Sequence, residues 1–416
     1  MTPFLQLAAV LAIIITTAKL AGYVSTKIGQ PSVFGELLLG IILGPSLLNL
    51  INLPIFTDAH LGEIVSELGE LGVMLLMFLA GLELNFRDLA KNARVSAYAG
   101  TLGVILPVGM GLAGGLLLGM DFQHGMFLGL TLGATSVSIS AQTLMEMGKL
   151  RTRVGLGLLG AAVFDDVLVI LLLSTYVALQ GGGSGIASIL LVLGKMIVFL
   201  VFSAAFGLWV LPRLTRLTSN LPISQGILSL ALVILLVYGL AAELLGGMAA
   251  ITGSFLAGLM FTRTPEREHV ESGIKAISYG FLVPVFFVSI GLSVNLRDLD
   301  LNALWTLVLI TLIAIAGKIL GAGLGARLGK YSLRESVQLG IGMISRGEVG
   351  LIVAAVGLRA GLLNNAVFSS IVGMILITTI ITPPMLRVSF NTSRPSKKKI
   401  APEAIEIDQS ELKESE

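Results

Sequence analysis

Apolar runs of bilayer-spanning length recur along most of this 416-residue chain. A transmembrane helix needs about 20 consecutive, mostly apolar residues. Thirteen such runs are read, at roughly 4–24, 33–52, 69–86, 94–119, 124–147, 154–180, 186–212, 222–243, 246–262, 275–294, 303–328, 333–358 and 365–388. Composition removes the soluble alternative. Hydrophobic residues make up 55% and charged residues 12%, with mean hydropathy +0.94, whereas a soluble domain carries about 25% charged residues. A membrane barrel would show alternating segments of about ten residues, and these are absent. The expected fold is an all-α membrane protein with 13 transmembrane helices. Its 50 glycines suit close helix packing and broken helices in lipid. With no cysteine, disulfides, thiolate metal sites and cysteine nucleophiles are excluded, and three histidines leave little for a metal. No cofactor is expected.

Basic residues in the loops set the orientation. Lys27 follows the first span; Arg87, Lys91 and Arg94 the third; Lys149, Arg151 and Arg153 the fifth. Arg213 and Arg216 follow the seventh, Arg263 and Arg267 the ninth, Lys330 and Arg334 the eleventh. The alternate loops are poor in Lys and Arg, and the one after the second span carries Asp58, Glu63 and Glu67. The amino terminus is therefore expected outside and the carboxyl terminus in the cytoplasm. The first run lacks a basic region before it and a small-residue cleavage site, so it reads as a span rather than a signal peptide. Residues 391–416 read as a polar, disordered cytoplasmic tail.

The stretch from Gly81 to Leu89 (GLELNFRDL) recurs from Gly291 to Leu299 (GLSVNLRDL), with six of nine positions identical. A weaker echo pairs Gly35 and Gly40 with Gly253 and Gly258. Seven spans separate the two copies, an odd number, so the halves lie upside down relative to one another. That predicts two inverted-topology six-helix repeats, spans 1–6 and 8–13, joined by a linker helix over 181–221.

Charges inside the apolar runs need a reason, since each costs about 2.5–3.5 kcal/mol on insertion scales. The sixth run holds the adjacent pair Asp165-Asp166. Neighbours on a helix point about 100° apart, so one partner cannot readily serve both, and at least one carboxylate is expected to face a wet cavity. Lys318, deep in the eleventh run, is the natural partner of one of them. The fifth run carries Thr135, Ser136, Ser138 and Ser140 after Gly133. Such residues compete for backbone hydrogen bonds, and they predict a broken helix that frees oxygens near the carboxylates. Hard oxygens suit small hard cations. The matching twelfth run contains Ser345-Arg346-Gly347-Glu348, a second predicted break, where Arg346 and Glu348 either support the site or form a structural ion pair. Glu36 could line an access path or face an aqueous rim. Lys19, Lys195 and Glu243 are read as snorkelling near span ends. Glu83 and Asn85 are read as capping or packing groups, and His60, His124 and His269 as solvated loop residues.

These residues resemble the monovalent cation/proton antiporter superfamily, in its thirteen-helix sodium/proton branch with an adjacent aspartate pair. The carriers of the resemblance are Asp165-Asp166, Thr135-Ser136, Lys318 and Ser345-Arg346-Gly347-Glu348. It implies that Asp166 carries cation and proton, that Asp165 pairs with Lys318, and that the protein is a homodimer in a prokaryotic inner or plasma membrane. It further implies a dimer domain from residues 1–93 and 222–302 and a moving core transport domain from 94–180 and 303–390. The expected activity is exchange of Na+ (or Li+) for H+ by alternating access, electrogenic, with Thr135 and Asp166 as Na+ ligands helped by Ser136 and Ser138. The partners are the lipid bilayer, a monovalent cation and a proton, not nucleic acid. A K+/H+ antiporter, a sodium-coupled organic-anion symporter and a passive cation channel are the alternatives. With no histidine in the interior of a run and no nucleophile–base pair, an enzyme is not expected.

Overall fold

A computed structural model describes residues 1–83, 91–180, 185–219, 221–292, 301–347, 350, 353–354, 357–358, 362–363 and 365–391. All regular structure among them is helical. The elements, in order, are α1 (Pro3–Lys27), α2 (Ser32–Leu43), α3 (Leu61–Glu83), α4 (Ala93–Leu117), α5 (Phe122–Gly133), α6 (Val137–Glu146), α7 (Arg153–Gln180) and α8 (Gly185–Ala205). There follow α9 (Leu211–Ser219), α10 (Gly226–Leu244), α11 (Ala250–Phe261), α12 (Arg267–Ile277), α13 (Val283–Leu292), α14 (Leu301–Leu328), α15 (Leu333–Gly342) and α16 (Asn365–Asn391). Single π turns at Phe206–Val210 and Ser278–Leu282 carry α8 into α9 and α12 into α13 without ending the rod.

Nine helices among the described residues are long and apolar enough to cross a membrane. The protein is an integral membrane protein. Two of the expected spans come out shorter. The run 33–52 is helical only over Ser32–Leu43, because Pro45 drives the preceding Gly44 to extended backbone (ψ 178°). The run 246–262 is helical only over Ala250–Phe261, after Gly247 turns with φ +62°. The repeat signature beyond Glu83 and beyond Leu292, including Asn85, and the tail after Asn391 lie outside the described residues.

Local signals explain several helix starts. Thr2 caps α1 ahead of Pro3, the position proline tolerates best. Ser332 and Glu335 form a reciprocal capping box on α15. Asp121 accepts from the backbone N–H of His124 at the start of α5.

Helices α4, α5, α7, α14, α15 and α16 pack among themselves, with α4 laid along α14. Helices α1, α2, α3, α10, α11 and α13 likewise pack among themselves. In this second set, glycines let backbones touch. A Cβ on Gly291 would stand 2.2 Å from the carbonyl carbon of Gly40, and one on Gly40 2.5 Å from the oxygen of Val288. Across the other crossing, a Cβ on Gly258 would stand 2.0 Å from the oxygen of Phe78, and one on Gly81 2.2 Å from that of Phe255. Each signature glycine thus meets the echo glycine from the opposite half of the chain.

Candidate functional site

Four elements bring the site together. Helix α7 supplies Asp165 and Asp166, α14 supplies Lys318, and two interrupted segments supply backbone and hydroxyls. The first interruption is the expected one: α5 ends at Gly133, Ala134 and Ser136 are extended, and α6 resumes at Val137. The second begins after α15, where residues 344–347 are not helical; Glu348, beyond it, lies outside the described residues.

The two interruptions are stitched to each other. Ser136 N donates to the Ser345 carbonyl (2.9 Å), and the Ser345 hydroxyl donates back to the Ser136 carbonyl (2.5 Å). The Ser140 hydroxyl donates to the Gly342 carbonyl (2.6 Å). The hydroxyls of Ser136 and Ser138 stand 3.0 Å apart. Gly347 permits the approach, since a Cβ there would lie 2.7 Å from Ser136 Oγ. The hydroxyl run expected as a bank of open cation ligands therefore serves, in good part, to tie one break to the other. A chain leaving a helix inside a membrane must satisfy its backbone groups internally, and these hydroxyls do so.

Helix breaks leave carbonyls without their intrahelical donors. The buried cations take them up. Lys318 Nζ donates to the Gly133 carbonyl at 2.7 Å. Arg346, fully buried, donates to the carbonyls of Leu132 (2.9 Å), Ala314 (3.3 Å), Met343 (3.2 Å) and Ile344 (2.6 Å). Its own carbonyl accepts from the Thr379 hydroxyl. Arg346 thereby neutralises the negative ends of α5 and α15, where the helix dipoles favour a cation; its pairing with Glu348 falls outside the described residues.

The two carboxylates part company. Lys318 Nζ stands 3.1 Å from Asp165 Oδ1, with both residues at 0% exposure. Among the described residues neither Thr135 Oγ1 nor Asp165 Oδ2 has a hydrogen-bond partner. Asp166 is 8% exposed. It accepts from Thr252 Oγ1 of α11 at 2.7 Å and lines a cavity of about 10 Å³ with Met77, Val137, Ile251 and Phe255 among its walls, roughly the room of one water.

Thr252 was not among the residues singled out from the sequence. Its signal was faint, a lone hydroxyl beside the echo glycine Gly253 in an apolar helix. Glu36 joins a different group: it is buried in α2 and lies 3.8 Å from Lys19, which pairs rather than simply snorkels. Nearby, Glu146 at the end of α6 accepts from Ser32 N (2.7 Å) and Ser32 Oγ (2.5 Å). Glu83 pairs with Lys275 at 3.6 Å instead of capping a helix end. His124 and His269 fall inside α5 and α12, not in loops, while His60 stands just before α3 with Nδ1 3.0 Å from Glu63 Oε2. Among the described residues no three His, Asp or Glu side chains converge to hold a metal.

A helical membrane protein whose buried acid–base pair meets two interrupted helices has the makings of a membrane carrier. The chain belongs to the family described as sodium/hydrogen exchanger, transmembrane, whose profile matches residues 12–391. It is thus a member of a transporter family within the monovalent cation/proton antiporter superfamily. It is 41% identical over 380 residues to the Na(+)/H(+)-K(+) antiporter GerN of Bacillus cereus, covering 91% of this chain and 95% of the relative. It is 33% identical over 379 residues to a Na(+)/H(+) antiporter of Enterococcus hirae, covering 91% and 96%. The solved structure of the sodium proton antiporter MjNhaP1 from Methanocaldococcus jannaschii shares the fold, with TM-score 0.61, 19% identity, and coverage of 92% of this chain and 96% of the other.

Proposed function

We propose that the protein exchanges Na+ or Li+ for H+ across the membrane by alternating access, with Asp166 as the shared carrier. The observation that carries this reading is the division of labour between adjacent carboxylates. Asp165 is neutralised by Lys318 inside one group of helices, whereas Asp166 faces a small cavity at which a second group begins. Antiport needs one site that holds either a cation or a proton, never both. A carboxylate poised between desolvation and a neighbouring ammonium meets that requirement. Asp166 releases its proton to the cytoplasm and binds sodium; the loaded core moves; the ion leaves outside and an external proton replaces it. The empty site does not cross, because a lone buried carboxylate is costly.

Sodium binding is proposed to break the Asp165–Lys318 pair and free a second proton. Two protons against one sodium make the cycle electrogenic, with a drive of about 2.3 kcal/mol per net charge per 100 mV. Thirteen spans in two inverted six-helix repeats suit the reciprocal glycine crossings, Gly40 with Gly291 and Gly258 with Gly81, since an internal two-fold exchanges one contact for the other. The dimer-domain and core assignments, the homodimer, and the outside amino terminus belong to the same proposal, and the bacterial relatives favour a plasma-membrane setting.

Potassium is the second reading, favoured by the similarity to GerN, a Na(+)/H(+)-K(+) antiporter. The test is cation-dependent proton flux in proteoliposomes across sodium, lithium and potassium, for wild type and Asp166→Asn. Asp166→Asn is expected to abolish exchange of every cation; retained exchange ends the carrier assignment.

A further inference from the structure

Among the described residues, the cavity beside Asp166 is walled by two polar side chains, Asp166 itself and Thr252, and otherwise by apolar groups such as Met77, Val137, Leu159, Ile251 and Phe255. The two polar groups come from different parts of the molecule. Helix α7 packs along α4, while α11 packs along α3 and α10, and α7 and α11 do not lie along one another. The hydrogen bond from Thr252 Oγ1 to Asp166 Oδ2 (2.7 Å) therefore spans the junction between helix groups at a point where the surrounding cavity wall is oily. Thr252 is only 4% exposed.

A polar group so buried is expected to be used. A cation entering a cavity this small sheds most of its water and must find oxygens in its place. Apolar walls supply none. A hydroxyl has one hydrogen to donate and two lone pairs to offer, so Thr252 can keep its bond to the carboxylate while its lone pairs face an ion held between the two side chains. The hydroxyls of Ser136, Ser138 and Ser140 are already engaged with one another or with backbone across the helix breaks, which raises the value of a hydroxyl approaching Asp166 from the far side.

We propose that Thr252 is a ligand of the transported cation, contributed by α11 to the ion held at Asp166. This rests on Asp166 being the carrier. It makes the binding site composite: one oxygen set travels with α7, and one stays with the helix group containing α11. Separation of the two groups then strips the ion of a ligand and favours release, which couples movement to unloading.

The experiment is a sodium titration of exchange in proteoliposomes for Thr252→Val and Thr252→Ser, together with sodium-dependent thermal stabilisation of the purified full chain. Loss of one oxygen ligand to a charged group is expected to raise KM for sodium about tenfold and weaken the stabilisation in parallel. Turnover at saturating sodium should stay within about threefold of wild type, and the serine variant, which keeps the hydroxyl, should return KM to within about twofold. A wild-type or lowered KM in Thr252→Val overturns the inference. So does a fall in turnover at constant KM that serine fails to rescue, because that marks a packing role. If Thr252→Val does not purify as a folded protein, Thr252→Ala must show the same rise in KM, and a wild-type value there overturns the inference equally. Asp166→Asn separates the two levels: exchange surviving in that variant removes the carrier reading itself, whereas a dead Asp166→Asn beside an unaltered Thr252→Val removes only the ligand assignment.

Discussion

Asp165 and Asp166 are neighbours in the chain and occupy opposite kinds of surroundings. Asp165 looks into the helices packed around α4 and α14, where Lys318 and the freed Gly133 carbonyl form a dry, charge-balanced knot. Asp166 looks toward α11, where the Thr252 hydroxyl and a water-sized space meet it. The difference follows from helix geometry: consecutive side chains diverge by about 100°, so one turn of α7 can address two regions at once. A buried ion pair and a cavity-facing carboxylate are thus held a residue apart.

The contrast predicts unequal consequences. Asp165→Asn should keep cation/proton exchange but lose its response to membrane potential, whereas Asp166→Asn should lose exchange outright; proteoliposome flux with and without an imposed potential reads both. The reverse ranking would break the comparison. A second measurement asks whether Asp165 and Lys318 matter mainly to each other. Removing one partner of a buried pair costs about 3–5 kcal/mol, while replacing both by apolar residues of similar volume is often nearly neutral. Thermal unfolding in detergent should therefore show Asp165→Leu and Lys318→Met each strongly destabilised and the double variant close to wild type. Additive losses would mean that the pair is not the knot described here.

A smaller effect tests the scaffold under both carboxylates. Gly347→Ala would push a methyl to 2.7 Å from Ser136 Oγ, at the crossing of the two helix breaks. Overpacking of this kind costs about 1–3 kcal/mol. Melting temperature should drop, and exchange should fall through both carboxylates because the crossing positions both. The smallest expected effect lies outside the site altogether. The exposed His60 is held above its ordinary value of 6.5 by its hydrogen bond to Glu63, then by the charges of Glu63 and Asp58. A base raised on folding stabilises the fold below its unfolded pKa and loses that contribution as pH rises through the folded one. The melting temperature of wild type should exceed that of His60→Gln only slightly, most clearly in acidic buffer where the imidazole is protonated, and not in alkaline buffer. Cation/proton exchange should not follow this titration, which keeps surface pH effects apart from those of the buried carboxylates.

Much of the architecture was legible because lipid imposes simple rules. Runs of apolar residues had to be helices, and hydroxyls clustered after Gly133 marked the interruption that appears at residues 134–136. Other features could not be read. Pro45 cut the second run short at Leu43. The carbonyls released by two breaks gather around Arg346, and only the crossing of distant segments creates that arrangement. Lys19 and Glu83 lay near apparent helix ends, yet each meets an opposite charge on another helix.

From residue order alone came the membrane character, the approximate helices, the breaks and the identity of the unusual charges, because each depends on local chemistry and on the cost of polarity in oil. Which hydroxyl meets which carboxylate was settled only in three dimensions. Thr252 lies 86 positions from Asp166, on a helix with no charge to betray it, and its partnership arises from how α7 and α11 approach. Hydrophobic patterning selects faces and lengths, but it does not say which pair of polar atoms, among many buried ones, will come within 3 Å.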